Sequence, residues 1–391
     1  MISIADAFAY IKNHTVPTSE VVAVPLSDAM DLVVAEDIIS PIAMPPFRQS
    51  AMDGYAVNLH NADEYTLIGE VKAGDPQEPV LQKGEAVRIF TGARVPSTAN
   101  AVVIQEKVSA SSAKISVLTT VAPNDNIRPL GEQVAAGAIA LKKGTRINAA
   151  GIGFMASLGI TTIKVFKNPT ICLLATGNEL MEAGQPLKPG KIYESNNLMV
   201  LSQLRKLGYT DVSSLKITDD YDKTVTTLKE MIATRDIVLI SGGISVGDYD
   251  FVGKALNELG VEEVFYKVNQ KPGKPLYFGK QGDTLIFALP GNPAALLSCF
   301  YLYVLLALKI RSGDTTFSLA RTKAISTSNF NSKGGRPQFL KAFYNEGKVS
   351  ILEGQNSSML HTFAVSNALV FVPETVIAIA INDELEVILL P

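Results

Sequence analysis

Between Pro169 and Ile310, short aliphatic and β-branched runs alternate with longer runs of helical period, and this order constrains the fold more than any other feature of the chain. The strand-like runs are PTICLLATG, DVSSLKI, DIVLISGG, VEEVFYKV and TLIFALPG. The runs between them, LMVLSQLRKLG, YDKTVTTLKEMIATR and FVGKALNELG, repeat apolar residues every three or four positions. In the first of these helices Leu198, Leu201 and Leu204 share a predicted inner face, and Gly208 is its stop. Strand, helix, strand in this order predicts a parallel, doubly wound sheet, whose ligands bind at the carboxyl ends of its strands. The apolar run from Ala294 to Leu308 is shorter than the roughly 20 residues that span a bilayer. With Pro290 and Pro293 closing its front, it predicts a buried helix rather than a membrane segment.

The flanking segments have a different texture. Ser3 and Asp6 form a capping box ahead of Ile4, Ala7, Phe8 and Ile11, so an amphipathic helix opens the chain. From about Pro41 to Ile127, short runs such as EYTLIGEV, AVRIF, ANAVVIQEKV and KISVL are punctuated by Gly and Pro and predict a small, mostly β domain. GAIALKKGTRI reads as two short strands around Lys142 to Gly144, followed by a helix in INAAGIGFMASLGI that ends at Gly159. After Gly313 the runs FSLARTKAIS, PQFLKAFY, KVSILEG, ALVFVPE and ELEVILLP predict a small C-terminal β-barrel. A chain of 391 residues exceeds one core and suits two to four domains at roughly 150 residues each.

Composition removes whole classes of function. Hydrophobic residues at 47% and charged residues at 19% supply full cores and exclude disorder. Lys plus Arg at 35 against Asp plus Glu at 38 leaves a net charge of −3 with no long like-charge run, which argues against nucleic acid as a partner. Cys172 and Cys299 both sit in apolar stretches, and the three histidines are scattered, so a disulfide framework, a zinc site and a Ser/His triad all lack material. The N-terminus shows no secretory signal, and a reducing, cytoplasmic setting without membrane attachment is expected.

The chemistry concentrates in loops at the predicted carboxyl edge of the α/β sheet. These are Thr176 to Leu180 (TGNEL), Ser241 to Asp250 (SGGISVGDYD) and Leu289 to Pro293 (LPGNP). They combine Gly with Ser, Thr or Asn, and so offer backbone N–H groups, hydroxyls and helix dipoles to an anion, with phosphate the expected guest. A tight strand-to-helix turn explains any one of them, whereas three at one edge point to a site. They match neither a dinucleotide fingerprint nor a P-loop. Lys267, Lys271 and Lys274, on a loop stiffened by Pro272 and Pro275, are cations suited to phosphate oxygens, and a solvated loop is the plainer alternative. Asp219, Asp220, Asp222, Asp248 and Asp250 supply carboxylates for a hard cation such as Mg²⁺, while Asp219 or Asp220 is equally suited to capping the helix that follows.

SAMDGYAV, RIFTGARVP, NIRPLGE, AGAIALKKGTRI, ATGNEL, SGGISVGDYDF, KPGKPLYFG and ALPGNPAA stand in an order and spacing that resemble the molybdopterin molybdotransferase (MoeA) family, to which the C-terminal part of gephyrin is related. The resemblance covers essentially the whole chain. It implies four domains: 1–44 with 134–168 as a discontinuous linking α+β domain, 45–133 as the small β domain, 169–312 as the α/β molybdopterin-binding domain and 313–391 as the C-terminal barrel. It implies the last step of molybdenum cofactor synthesis, in which adenylylated molybdopterin takes up molybdate and AMP leaves with Mg²⁺ as cofactor. It also implies a homodimer with its active cleft shared between subunits, and admits a molybdopterin adenylyltransferase as partner.

Carried over by position, the resemblance gives Asp53, Glu179, Asp220, Asp250, Lys267 and Lys271 as catalytic residues, with Asp220 and Asp250 holding the metal. It gives Thr91, Arg128, Thr176, Gly177, Ser241, Gly242, Gly243, Ser245, Lys274, Pro290, Gly291, Asn292 and Pro293 as substrate contacts. Departures from the family's usual carboxylates occur at Gln133, Asn178 and the Arg48–Gln49 pair, and Glu194 stands where Asp is usual. Two readings compete with the enzyme: a non-catalytic molybdopterin-binding scaffold, and a pyrophosphatase acting on an adenylylated metabolite.

Overall fold

In a computed structural model of the chain, the alternating segment forms one six-stranded sheet in the order Val212–Ile217, Ile171–Thr176, Ile237–Ser241, Thr284–Leu289, Tyr277–Gln281, Glu262–Tyr266. The structure describes residues 1–244, 251–332 and 334–391. The first four strands are mutually parallel, as the crossover helices between them require. Tyr277–Gln281, which carries no separate signal in the sequence, runs antiparallel to both of its neighbours. Gly282, with φ +56°, lies between it and Thr284–Leu289.

Both faces of the sheet are buried, and alternate residues of each strand divide between two cores. Ile171, Leu173, Ile237, Leu239, Phe278 and Phe287 face one core, which holds helix Asn196–Lys206 and the continuous helical stretch Pro293–Arg311. Cys172, Leu174, Val238, Ile240, Ile286 and Ala288 face the other, under helices Tyr221–Thr234 and Phe251–Glu258. The 293–311 stretch is long and apolar enough to cross a membrane, but 94% of it is buried inside the protein. Its composition serves a core instead. The inner face of Asn196–Lys206 differs from expectation: Asn197, Val200 and Leu204 are buried, whereas Leu198 is 60% exposed. Docking turned the helix so that Asn197 Nδ2 reaches Ser214 Oγ and the Leu215 carbonyl, both at 3.0 Å.

Two compact units account for the chain: Met1–Val22, Asp31–Val33 and Phe166–Pro391 in one, Ala23–Met30 and Val34–Val165 in the other. The opening helix, Ile4–His14, has the expected capping box at Ser3 and Asp6. It packs onto the α/β sheet, with Ala7 and Ile11 fully buried in the core that contains Phe265 and the 293–311 helix. In the same unit Arg321–Ser326, Lys348–Ile351, Gln338–Asn345, Ala368–Val372 and Glu384–Leu389 close into the expected five-stranded barrel.

The second unit carries a six-stranded sheet, Ala101–Ile104, Gly54–Val57, Glu85–Ile89, Glu64–Val71, Lys114–Val117, Val108–Ala110 in that order. Of the two short strands expected in GAIALKKGTRI, only Ile139–Leu141 forms, paired with Ile38–Ile39. Helix Ala149–Ser157 then begins at Asn148, whose side chain accepts from the Gly151 N–H at 2.8 Å.

Candidate functional site

Thr176 stands opposite Ile217, and Ser241 is paired with Ala175 on one side and Leu289 on the other, so four strand ends line up on one edge. The chain leaves the Ile171–Thr176 strand toward one side of the sheet and later returns to the other. This reversal opens a crevice between Thr176 and Ser241. A cavity of about 590 Å³ occupies it, lined by Thr176, Gly177 and Glu179, by Asp219, by Ser241, Gly242, Gly243 and Ile244, and by Pro290, Gly291, Asn292 and Pro293. Ten of the sequence-predicted residues therefore meet in one place. Ser245 and Asp250 lie outside the described residues.

The glycines here meet a steric demand. Gly242 has φ +88°, and a Cβ on it would lie 2.8 Å from the Thr176 carbonyl oxygen. Gly243 has φ +65°, and its Cβ would lie 2.6 Å from Val252 Cγ2 and 2.9 Å from Thr176 Oγ1. Only a backbone without side chains can fold this closely onto the neighbouring strand end. Among the described residues the N–H groups of Gly243, Gly291 and Asn292 donate to no protein acceptor. They suit an anion.

Thr176 Oγ1 and Asn196 Oδ1 are buried without a hydrogen-bond partner. Asn196 uses its Nδ2 to bridge two walls of the cavity, donating to Ser241 Oγ at 2.7 Å and to the Gly291 carbonyl at 2.9 Å. Sequence reasoning missed it. It also missed the wall formed by the excursion after the first strand, where Leu180–Met181 pairs in parallel with Ile192–Tyr193. Glu194 at the end of that excursion accepts from the Asn197 N–H at 2.8 Å, and so caps the helix while lining the cavity. The clue was present in YESNN, whose polar cluster sits just before a helical run.

The two adjacent aspartates divide their work. Asp219 lines the cavity and exchanges hydrogen bonds with Asn178. Asp220 is the N-cap of Tyr221–Thr234: its Oδ1 accepts from the Lys223 N–H at 3.0 Å, and its Oδ2 lies 3.8 Å from Lys223 Nζ. Among the described residues no three His, Cys, Asp or Glu side chains converge as a protein-built metal cage requires. Lys267 has φ +69° and its Nζ lies 4.4 Å from the centre of the Tyr266 ring. Lys271 and Lys274 are exposed on the following loop, and Pro275 is the part of this segment that reaches the cavity.

The second unit carries its own set. Asp53 Oδ1 accepts from the Thr91 N–H at 2.7 Å and the Thr91 hydroxyl at 2.8 Å. These bonds, the backbone one foremost, hold the carboxyl below its usual pKa against a small opposing effect of burial. The neighbouring Gly54 has no alternative, since a Cβ there would lie 2.0 Å from the Val103 carbonyl oxygen. Arg88 donates to the Gly54 carbonyl at 3.1 Å and stacks over Tyr55 and Phe90. Arg128 is exposed, opposite Gln49 in a two-residue ladder. Arg48 and Gln49 donate to the carbonyls of Ala99 at 2.8 Å and Gly92 at 3.1 Å.

Three family descriptions match the chain in sequence: MoeA N-terminal region (domain I and II) over residues 2–159, probable molybdopterin binding domain over 172–309, and MoeA C-terminal region (domain IV) over 323–390. A molybdopterin molybdenumtransferase of Haemophilus influenzae is 36% identical, with 88% of each chain covered. One from Bacillus subtilis is 32% identical, covering 90% of this chain and 85% of the relative. The solved structure of a molybdopterin biosynthesis MoeA protein from Pyrococcus horikoshii OT3 superimposes with a TM-score of 0.83 at 29% identity, covering all of both chains.

Proposed function

The chain belongs to the MoeA family, and from that premise we propose that it acts as a molybdopterin molybdenumtransferase in molybdenum cofactor biosynthesis, taking adenylylated molybdopterin and molybdate and releasing AMP. The observation that carries this reading is the cavity at the reversal point of the sheet, with its unpartnered N–H groups and small-residue loops. A pyrophosphate-bearing substrate matches these donors. Gly242 and Gly243 let its oxygens approach the backbone, Ser241 and Thr176 offer hydroxyls, and Lys267, Lys271 and Lys274 offset its charge. Asp53, kept ionised by Thr91, and Arg128 are assigned to the reacting end of the substrate and to molybdate respectively, and Glu179 to proton transfer at the cavity.

We propose magnesium as the metal. It takes one or two carboxylates together with substrate phosphate oxygens rather than a protein-built cage. By the family resemblance Asp220, whose Oδ2 lies 3.8 Å from Lys223 Nζ, and Asp250 would hold it, and it would supply charge neutralisation at the pyrophosphate. We further propose a cytoplasmic homodimer and a molybdopterin adenylyltransferase as the partner that delivers the substrate. No observation favours the scaffold or the pyrophosphatase.

The test is AMP release from adenylylated molybdopterin with Mg²⁺, with and without molybdate, beside an Asp250→Ala control. Release that requires molybdate and is lost in the control is the expected result. Binding without release would replace the enzyme with a scaffold, and release indifferent to molybdate would make it a pyrophosphatase.

A further inference from the structure

Lys341 lies in the barrel strand Gln338–Asn345 and is 3% exposed. Its ammonium donates to three backbone carbonyls of one turn: Gly354 at 2.7 Å, Asn356 at 3.2 Å and Met359 at 2.9 Å. A lysine has three donors, so this turn uses all of them. Gln355 in the same turn also holds the strand, its Oε1 accepting from the Lys341 N–H and its Nε2 donating to the Lys341 carbonyl, both at 2.9 Å. Burial lowers the pKa of Lys341. Keeping a charge in such a place costs stability that an apolar residue would not.

The turn reaches the cavity. The Ser357 carbonyl accepts from the N–H groups of Ala294 at 3.0 Å and Ala295 at 3.2 Å, the first two that helix Pro293–Cys299 possesses after its proline. Ser357 Oγ accepts from Asn292 Nδ2 at 2.9 Å, and Asn292 is part of the cavity wall. The barrel therefore caps the helix that begins at the cavity, and Lys341 holds the cap.

We propose that Lys341 is a positioning residue for the substrate cavity: by tying down the 354–359 turn it keeps Ser357 against Asn292 and fixes the Pro290–Pro293 wall. This rests on reading the cavity as the substrate site. The decisive comparison is wild type, Lys341→Met, Lys341→Arg, Ser357→Ala and the Lys341→Met/Ser357→Ala double variant.

Hydrogen exchange at the Ala294 and Ala295 amides, followed without any ligand, should quicken about tenfold in Lys341→Met and stay near wild type in Lys341→Arg. KM for adenylylated molybdopterin should rise about tenfold in Lys341→Met with kcat within about twofold. The double variant should be no worse than Lys341→Met alone, because both changes break one chain of contacts. Unchanged exchange, unchanged KM or additive losses would each overturn the proposal. If Lys341→Met does not fold, Ser357→Ala decides, since an unaltered KM there removes the link between the wall and the turn. A wild-type chain without insertion activity would instead overturn the reading of function, and the exchange measurement would still judge the strap.

Discussion

Asn178 and Asp219 hold each other by reciprocal hydrogen bonds, the Asn178 N–H to Asp219 Oδ2 at 3.0 Å and the Asp219 N–H to Asn178 Oδ1 at 3.2 Å. The pair ties the loop after Ile171–Thr176 to the loop after Val212–Ile217, and Asp219 lines the cavity. Asp219→Ala should therefore raise KM for the substrate about tenfold while moving Tm by only a few degrees. Asn178→Asp keeps the acceptor oxygen and should stay within about twofold of wild type. Steady-state kinetics with thermal melts checks both, and an unaltered KM in Asp219→Ala would detach this pair from binding.

Asp220 caps a helix and is proposed to hold Mg²⁺, and substitution can separate the two. Asp220→Ala removes the N-cap of Tyr221–Thr234 and should cost about 1 kcal/mol. Asp220→Ser retains a capping oxygen and should keep the stability while raising the Mg²⁺ concentration needed for half-maximal activity about tenfold. An unchanged magnesium requirement in the serine variant would leave Asp220 as a cap alone.

Thr176 buries a hydroxyl that has no partner. Thr176→Val should leave the protein as stable as before or more stable by up to about 1 kcal/mol, because an unpaired buried polar group is removed. If the substrate supplies the missing partner, KM should rise about tenfold. A loss of stability on denaturant unfolding would show that the hydroxyl is satisfied within the protein.

Asp53→Asn should lower the insertion rate at least about a hundredfold with Tm nearly unchanged, since the side chain is exposed. Thr91→Val removes one of the two bonds that hold the Asp53 pKa down, so the pKa should rise toward the ordinary carboxylate value. The acid limb of the activity profile should then move to higher pH. An NMR titration of the Asp53 carboxyl, compared with the pH–rate profile, reads both effects.

Asp236 lies at the opposite end of the sheet. Burial pushes its pKa upward, but hydrogen bonds from the Thr170 N–H and hydroxyl, both at 2.8 Å, and from Arg311 at 3.3 Å outweigh it, and the net shift is downward. A depressed folded pKa means that the stabilisation is fully present above the unfolded value of about 4 and is lost as pH falls through the folded pKa. Asp236→Asn should therefore cost about 2 kcal/mol from pH 8 down to about 5, and progressively less under more acidic conditions. A stability difference independent of pH down to about pH 2 would refute the charge-based account.

Much of the fold is legible without coordinates, because two-residue and 3.6-residue periods are local. The runs ICLLAT and IVLIS become fully buried strands, the Ser3–Asp6 box caps its helix, and the apolar stretch after Pro293 becomes a core helix. The cavity loops are legible for a related reason: glycines at strand ends mark places where backbones approach closely, and Gly242 and Gly243 are such places.

What local pattern could not reach depends on partners distant in sequence. Leu198 and Asn197 exchange the expected places because Ser214 and Leu215 offer hydrogen bonds to an amide. Asp219 rather than Asp220 faces the cavity because the helix that follows claims Asp220 as its cap. Asn196 bridges Ser241 and Gly291, and Lys341 in the barrel governs the turn that caps a helix in the α/β core. The amino-acid order alone determined most of the strands and helices, which family the motifs resemble and which loops lie at the carboxyl edge of the sheet, since these follow from short-range stereochemistry. The tertiary structure decided which side chains face the cavity and which are spent holding it, because a hydrogen bond across dozens of residues exists only once packing has brought its two ends together.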